Sequence, residues 1–155
     1  YYIERTSHGS TLSRVVHSWV LARRDRPRSW NLFTEALESD ISDIQGGTTP
    51  EGIHLGAMAG CINMIQMGYT GLEIRGDVLW FNPSLPEQLE RLRMQIRYRG
   101  QSLSIDIFSD RITLTACRCT EGPIQIGVKD QVFTLRENET KEIEWLDHEV
   151  KEVAG

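Results

Sequence analysis

Residues 53–81 read IHLGAMAGCINMIQMGYTGLEIRGDVLWF, and the hydrophobic period changes within them. In the first half Leu55, Met58, Ile62 and Ile65 mark one helical face, while Ile53, Ala57, Cys61 and Met64 mark another. A helix that is apolar nearly all round is buried on most sides. Gly56 and Gly60, four apart, cost helix propensity but let a neighbouring helix come close. From Gly71 the period is two, and Val78–Phe81 reads as a short apolar strand stopped by Asn82-Pro83 and Pro86. The switch near Tyr69–Gly71 predicts an α+β chain, with a helical piece over 1–70 and a β piece over 71–155.

Upstream, Leu12, Val15, Val16, Trp19 and Val20 share one helical face, and this helix should end near Arg23-Arg24, before Pro27. Ser29 is the expected cap of a second helix with Trp30, Phe33, Leu37 and Ile41 inward and Glu35, Glu38 and Asp40 on its wet side. A loop rich in turn residues, Gln45–Gly52, precedes the third helix. Downstream, Leu92, Met94, Ile96 and Tyr98 alternate with Arg91, Arg93, Gln95, Arg97 and Arg99, the pattern of a half-buried strand. Further strands are expected at Leu103–Ile107, Ile112–Leu114, Ile124–Val128, Gln131–Leu135 and Thr140–Trp145. Short, evenly spaced strands between turn signals suggest an antiparallel sandwich. Residues 147–155 are polar and expected to fray. Three helices alone enclose little, so the helical piece reads as part of something larger, and a start on Tyr1 rather than Met reads as an excised fragment.

The bulk properties narrow the function classes. With 17 basic and 22 acidic residues the net charge is −5, which opposes a general nucleic-acid binder. No apolar run is long enough to cross a bilayer and nothing at the start resembles a signal peptide, so no membrane partner is expected. Cys61, Cys117 and Cys119 lack metal-type clustering and predict no metal site; structural thiols in a reducing compartment favour the cytoplasm. Arg75-Gly76-Asp77 reads as a hairpin turn, and the arginine stripe as a wet face opposite acidic neighbours. Trp19, Trp30 and Trp80 lie on apolar faces and are expected in cores rather than as sugar-stacking platforms.

Two places can carry chemistry. In RTSHGSTLS (residues 5–13) a histidine and a glycine sit among hydroxyl residues just before a helix. Free N–H groups of a first helical turn receive anions, so this junction can form an anion pocket; the alternative is a well-capped helix with a loop histidine. His54 stands likewise at the start of the third helix, where the alternative is a buried, hydrogen-bonded core histidine.

RTSHGSTLS, together with TTPEGIHLGAMAG (residues 48–60) and DVLWFNPSLP (residues 77–86) in that order, resembles glycoside hydrolase family 65. This family holds the inverting phosphorylases of maltose, trehalose and kojibiose, with some hydrolases. The resemblance runs from Tyr1 to about Tyr98. It implies the terminal helices of an (α/α)6 barrel followed by a jelly-roll-like antiparallel β-sandwich. It also implies glycosyl transfer to inorganic phosphate as co-substrate, with no other cofactor, and places Ser7, His8, Gly9, Ser10 and His54 at or near the phosphate. The general acid of the family is a glutamate well upstream, beside a Lys-Gln sugar-binding motif. Neither can be matched here, so no catalytic residue is assigned and the isolated chain is expected to be inactive. The expected partners are a disaccharide, phosphate and the rest of the chain's own barrel, with a homodimer left open.

Inverting cleavage needs an acid on the leaving oxygen and a nucleophile arriving from the opposite face. Phosphate is already anionic and requires donors rather than a base, which hydroxyls, backbone N–H groups and imidazole supply. Glu51 is the nearest acid in sequence to His54. It reads as a first-turn carboxylate, and less well as the base of a hydrolase. A non-catalytic carbohydrate-binding module, with the sandwich as its working part, is the rival from another class. Which disaccharide is used does not follow from these residues.

Overall fold

A computed structural model describes residues 10–43 and 52–145, and it is an α+β fold. Ser7, His8, Gly9, Glu51 and the expected frayed end lie outside the described residues. The chain divides into two units, Tyr1–Tyr69 and Thr70–Gly155.

The first unit holds α1 (Thr11–Leu21), α2 (Arg26–Glu38) and α3 (Leu55–Asn63), which runs on as a π-helical segment, Met64–Tyr69. Ser10 caps α1 by accepting from the Leu12 N–H at 3.3 Å. The cap of α2 is Asp25, which accepts from the Arg28 N–H at 3.1 Å, and not the expected Ser29. Pro27 sits in the first turn of α2, where a missing N–H leaves nothing unsatisfied.

Ser29 is instead buried against Ser18: each hydroxyl donates to the other residue's carbonyl, at 2.7 and 2.8 Å. These small, mutually satisfied side chains let α1 and α2 pack closely. Arg14, also buried, donates through Nε to Glu35 Oε2 at 3.0 Å. Gly60 of α3 faces Val15 of α1 so closely that a Cβ there would stand 2.6 Å from Val15 Cγ1. Tyr69 is fully buried and stacks with Trp30 and Phe33, the three ring centroids being 5.3–6.2 Å apart.

The apolar periodicity of these helices does not match their burial. Val15 is buried, but Leu12, Val16, Trp19 and Val20 are exposed, Val20 by 67%. Leu37, Ile41, Ile53 and Ile62 are exposed as well, and Leu55 by 76%. The helix expected to be enclosed buries only Ala57 and Cys61 within its α-helical part.

Among the described residues of the second unit there are eight strands, β1 (Glu73–Arg75), β2 (Val78–Phe81), β3 (Arg91–Tyr98), β4 (Gln101–Phe108), β5 (Arg111–Cys119), β6 (Ile124–Val128), β7 (Gln131–Leu135) and β8 (Thr140–Glu144). They form two four-stranded sheets, ordered β1-β2-β6-β7 and β3-β4-β5-β8. All pairings are antiparallel except β2 with β6, which run parallel, with Trp80 opposite Gly127. A parallel pair requires a crossover, and β3 to β5 supply it. Leu79, Phe81, Leu103, Ile105, Ile107, Ile112, Leu114, Ile126 and Val128 are all nearly inaccessible to solvent, as the period-two pattern predicts. The register of β4 on β5 slips where Ser102 faces Arg118 and Leu103 faces Ala116, leaving Cys117 as the extra, exposed residue of a bulge.

The hairpin at Gly76-Asp77 joins β1 to β2 as expected. On the arginine face, Asp106 accepts from both Arg91 and Arg93, and Asp77 accepts from Arg99. The two guanidiniums hold the Asp106 carboxyl down at about 2, led by the hydrogen bond from Arg91.

Candidate functional site

The pairs Arg14–Glu35 and Ser18–Ser29 advance along α1 while descending along α2, so the two helices are antiparallel. The start of α1, with its cap Ser10, therefore lies level with the end of α2. Asp40, two residues beyond α2, binds His54 at the start of α3. The beginnings of α1 and α3 thus share one end of the helical unit. The Val15–Gly60 contact agrees, falling five residues into α1 and six into α3. Two positive helix ends facing the same way favour an anion there.

Of the five residues expected to hold phosphate, Ser10 and His54 are described and both stand at that end. The Ser10 hydroxyl accepts the Leu12 N–H, and its carbonyl accepts from Ser13 Oγ at 2.8 Å. Both oxygens of Ser10 thus accept from the first turn of α1, which holds this residue at the helix start.

His54 occupies the N-cap position of α3 without capping it through its side chain. Its Nδ1 lies 2.5 Å from Asp40 Oδ1, and its backbone N–H is 3.1 Å from both Asp40 oxygens. The His54 ring is partly exposed and the Asp40 carboxylate mostly covered. The His54 side chain, then its backbone N–H, holds the Asp40 carboxyl below the usual carboxylate range. A carboxylate just past the end of α2 meets that helix's negative pole, an unfavourable position that the positive start of α3 offsets. Asp40, placed by sequence on a wet face, is the site residue the periodicity missed. Fourteen residues and a loop separate it from His54, and no spacing rule reaches across that gap.

Other chemistry is sparse in this unit. Burial, and then the Asp40 charge, pushes the Cys61 thiol up, which leaves it neutral and a poor nucleophile. Among the described residues no three His, Cys, Asp or Glu side chains gather as a metal site, and no helix is long and apolar enough to cross a membrane.

The β unit has a cleft of about 630 Å³ lined by Asp77, Tyr98, Arg99, Gln101, Glu121 and Gln125. The half-buried aromatics of this unit each carry a cation. Arg75 covers Trp80, Arg99 covers Tyr98, Arg91 and Arg111 flank Phe108, Lys141 covers Phe133 and Lys129 covers Trp145, at 4.1–5.4 Å from the ring centroids. The remaining described aromatic of this unit, Phe81, is buried. A sugar ring seeking an aromatic platform finds each one already carrying a cation.

Comparison with known proteins assigns the chain. Residues 1–63 match the central catalytic domain of glycosyl hydrolase family 65, and residues 72–135 match its C-terminal domain. An uncharacterized glycosyl hydrolase of Mycobacterium tuberculosis strain H37Rv is 48% identical over 143 residues, covering 92% of this chain and 11% of that protein. Trehalose 6-phosphate phosphorylase of Lactococcus lactis is 37% identical over 117 residues, covering 75% of this chain and 15% of that enzyme. A solved structure from the human microbiome, provisionally named a kojibiose phosphorylase, superposes with a TM-score of 0.78 at 27% identity, covering 94% of this chain and 19% of that one. The chain thus spans between a tenth and a fifth of the length of these relatives, and it belongs to glycosyl hydrolase family 65.

Proposed function

We propose that the whole protein carrying this chain catalyses inverting phosphorolysis of an α-linked glucose disaccharide, and that residues 1–70 supply the end of the barrel that grips phosphate. The observation that carries this reading is the convergence of two helix starts, one bearing Ser10 and the other His54, at a single end of the helical unit. Ser7, His8 and Gly9 immediately precede Ser10 and complete the proposed phosphate set. In the reaction a phosphate oxygen bonds to the anomeric carbon from the face opposite the leaving sugar, and the glycosidic C–O bond breaks. The leaving oxygen takes its proton from a general acid that this chain does not provide. Hydroxyls, N–H groups and imidazole aimed at phosphate lower the barrier by holding the nucleophile in line.

The relatives named as phosphorylases support this reading, as do the unburied apolar sides of α1 and α3, which offer Leu12, Val16, Val20, Leu55 and Ile62 to further barrel helices. The free thiols of Cys61, Cys117 and Cys119 suit a reducing, cytoplasmic setting. The cation-covered aromatics of the sandwich weigh against a carbohydrate-binding module.

The test is turnover of maltose, trehalose and kojibiose by the whole protein, with and without inorganic phosphate, the product anomer being read by proton NMR. The expected result is phosphate-dependent release of β-glucose 1-phosphate. The variant His54→Ala should raise the KM for phosphate about 10-fold or more, as loss of a charge-assisted hydrogen bond implies. Equal turnover in phosphate-free buffer would mark a hydrolase of the same fold and end the proposal.

A further inference from the structure

We infer that Asp40 is a positioning residue for His54, fixing the imidazole so that Nε2, and not Nδ1, is presented to the phosphate. The inference rests on the phosphorolysis reading and adds to it a residue outside the proposed phosphate set.

Three contacts carry it. One carboxylate binds both the ring Nδ1, at 2.5 Å, and the backbone N–H of the same histidine, at 3.1 Å from each oxygen. Gripping backbone and ring together fixes the side-chain torsions as well as the ring's place, which a ring contact alone would not do. The carboxylate accepts and cannot donate when ionised, and its carboxyl is held below the ordinary range. Nδ1 must therefore carry a proton, and the ring atom left for a ligand is Nε2. The proton on a bond between Nε2 and phosphate can come from the ring or from hydrogen phosphate, so the arrangement serves either form of the anion.

The placement also answers an electrostatic objection. A bare carboxylate beside a phosphate site repels the ligand. Here the Asp40 oxygens point at His54 N–H groups and at the positive start of α3, so the donors that face phosphate stay ahead of the carboxylate. Behind metal-ligating histidines, orienting carboxylates are worth roughly 10- to 100-fold in metal affinity or activity, and the same order is expected for a histidine that binds phosphate.

The experiment is steady-state kinetics of the whole protein with phosphate and disaccharide varied separately, for Asp40→Asn, Asp40→Glu, His54→Gln and the double variant Asp40→Asn/His54→Gln. Asp40→Asn should raise the phosphate KM about 10-fold or more while the disaccharide KM stays within about twofold. Asp40→Glu, which keeps the charge on a longer arm, should recover part of the loss. In the His54→Gln background Asp40→Asn should add little, because no ring remains to be oriented and only the contact with the backbone N–H is weakened. An equal rise in both KM values, or a full additional loss in that background, makes Asp40 a structural residue and overturns the inference. If His54→Gln raises the phosphate KM while Asp40→Asn leaves it unchanged, this inference alone fails. If His54→Gln does not alter the phosphate KM, the phosphate reading falls and takes this one with it. Should Asp40→Asn give no folded protein, Asp40→Glu decides by the same split between the two KM values.

Discussion

The contact between Gly60 and Val15 sets how closely α1 and α3 approach, and it can be measured through the substitution Gly60→Ala. The added methyl would start 2.6 Å from Val15 Cγ1 and 3.5 Å from its Cβ and Cγ2. Carbon atoms prefer about 3.5–4.0 Å, so something must yield by about 1 Å. Val15 is only 4% exposed, and a valine in a helix has one strongly preferred rotamer, so the shift falls largely on the helices. Overpacking of this kind costs about 1–3 kcal/mol, while replacing glycine inside a helix returns about 1 kcal/mol. The single variant therefore loses only about 1 kcal/mol, too little to be diagnostic. The cycle with Val15→Ala removes the propensity gain, which appears in both backgrounds. Alone, Val15→Ala should cost about 2 kcal/mol for its two buried methyls and the hole they leave. In the Gly60→Ala background it should cost almost nothing, because the new methyl occupies that hole. The expected coupling is about 1.5 kcal/mol or more, read from urea unfolding followed by helical ellipticity. A coupling below about 0.5 kcal/mol is what independent sites give, and it would refute the close approach. The contact lies about 6–8 Å along each helix from its start, at 1.5 Å per residue, so Gly60→Ala should also loosen the proposed phosphate grip and Val15→Ala should restore it.

Three further outcomes are expected. Gly127→Ala would place a Cβ 2.3 Å from Trp80 Cδ2 and Cε3. It should cost about 1–3 kcal/mol in urea unfolding, with Trp80→Val relieving most of that; full stability with Trp80 unmoved would contradict the packing of β2 on β6. The Asp106 carboxyl is depressed to about 2, so its stabilisation is present above the unfolded value near 4 and is lost as pH falls from about 4 to about 2. Because Arg91 and Arg93 are 45% and 64% exposed, the contribution is discounted to about 1 kcal/mol, and Asp106→Asn should flatten acid unfolding across that window. Finally, Val20→Lys should leave the stability of this chain unchanged within about 0.5 kcal/mol, as at any exposed site, yet destabilise the whole protein, where barrel helices are proposed to cover Val20. No effect in either setting would remove the barrel argument.

The strands were legible because the cause of their burial is local. Leu103, Ile105 and Ile107 alternate with residues that face the other way, and the partners that bury them, Ile112 and Leu114, come from the next hairpin. What the pattern could not supply was the parallel pairing of β2 with β6. That choice is made across the whole intervening sheet and leaves no mark on either strand. The bulge at Cys117 is equally silent, since a one-residue slip follows from pairing and not from composition. The α1 boundary at Leu21 came close to expectation, but Ser29 misled as a cap: its hydroxyl serves a buried contact with Ser18, while Asp25 does the capping.

The helices pose a different problem, and it bears on the site. Periodicity marks the residues that are apolar, not the neighbours that cover them. In α1 the buried residues include Thr11, Arg14 and Ser18, each on the side facing α2 and α3, while the apolar set Leu12, Val16 and Val20 faces away. Such a helix is two-sided, satisfied on its small polar side by partners in this chain and carrying hydrocarbon on the other. The β unit shows no such conflict, since its alternating residues are buried by its own strands. The end proposed to grip phosphate is built on two-sided helices and gains its rigidity from both sides. The Val15–Gly60 contact sets α3 against α1 from within, and the apolar faces leave the remaining constraint to whatever packs on them. On this argument substitutions at Asp40 and on the outer face of α1 should act on phosphate binding by separate routes. Asp40 acts through one imidazole and the outer face through the spacing of the helix starts, so their effects on the phosphate KM should add.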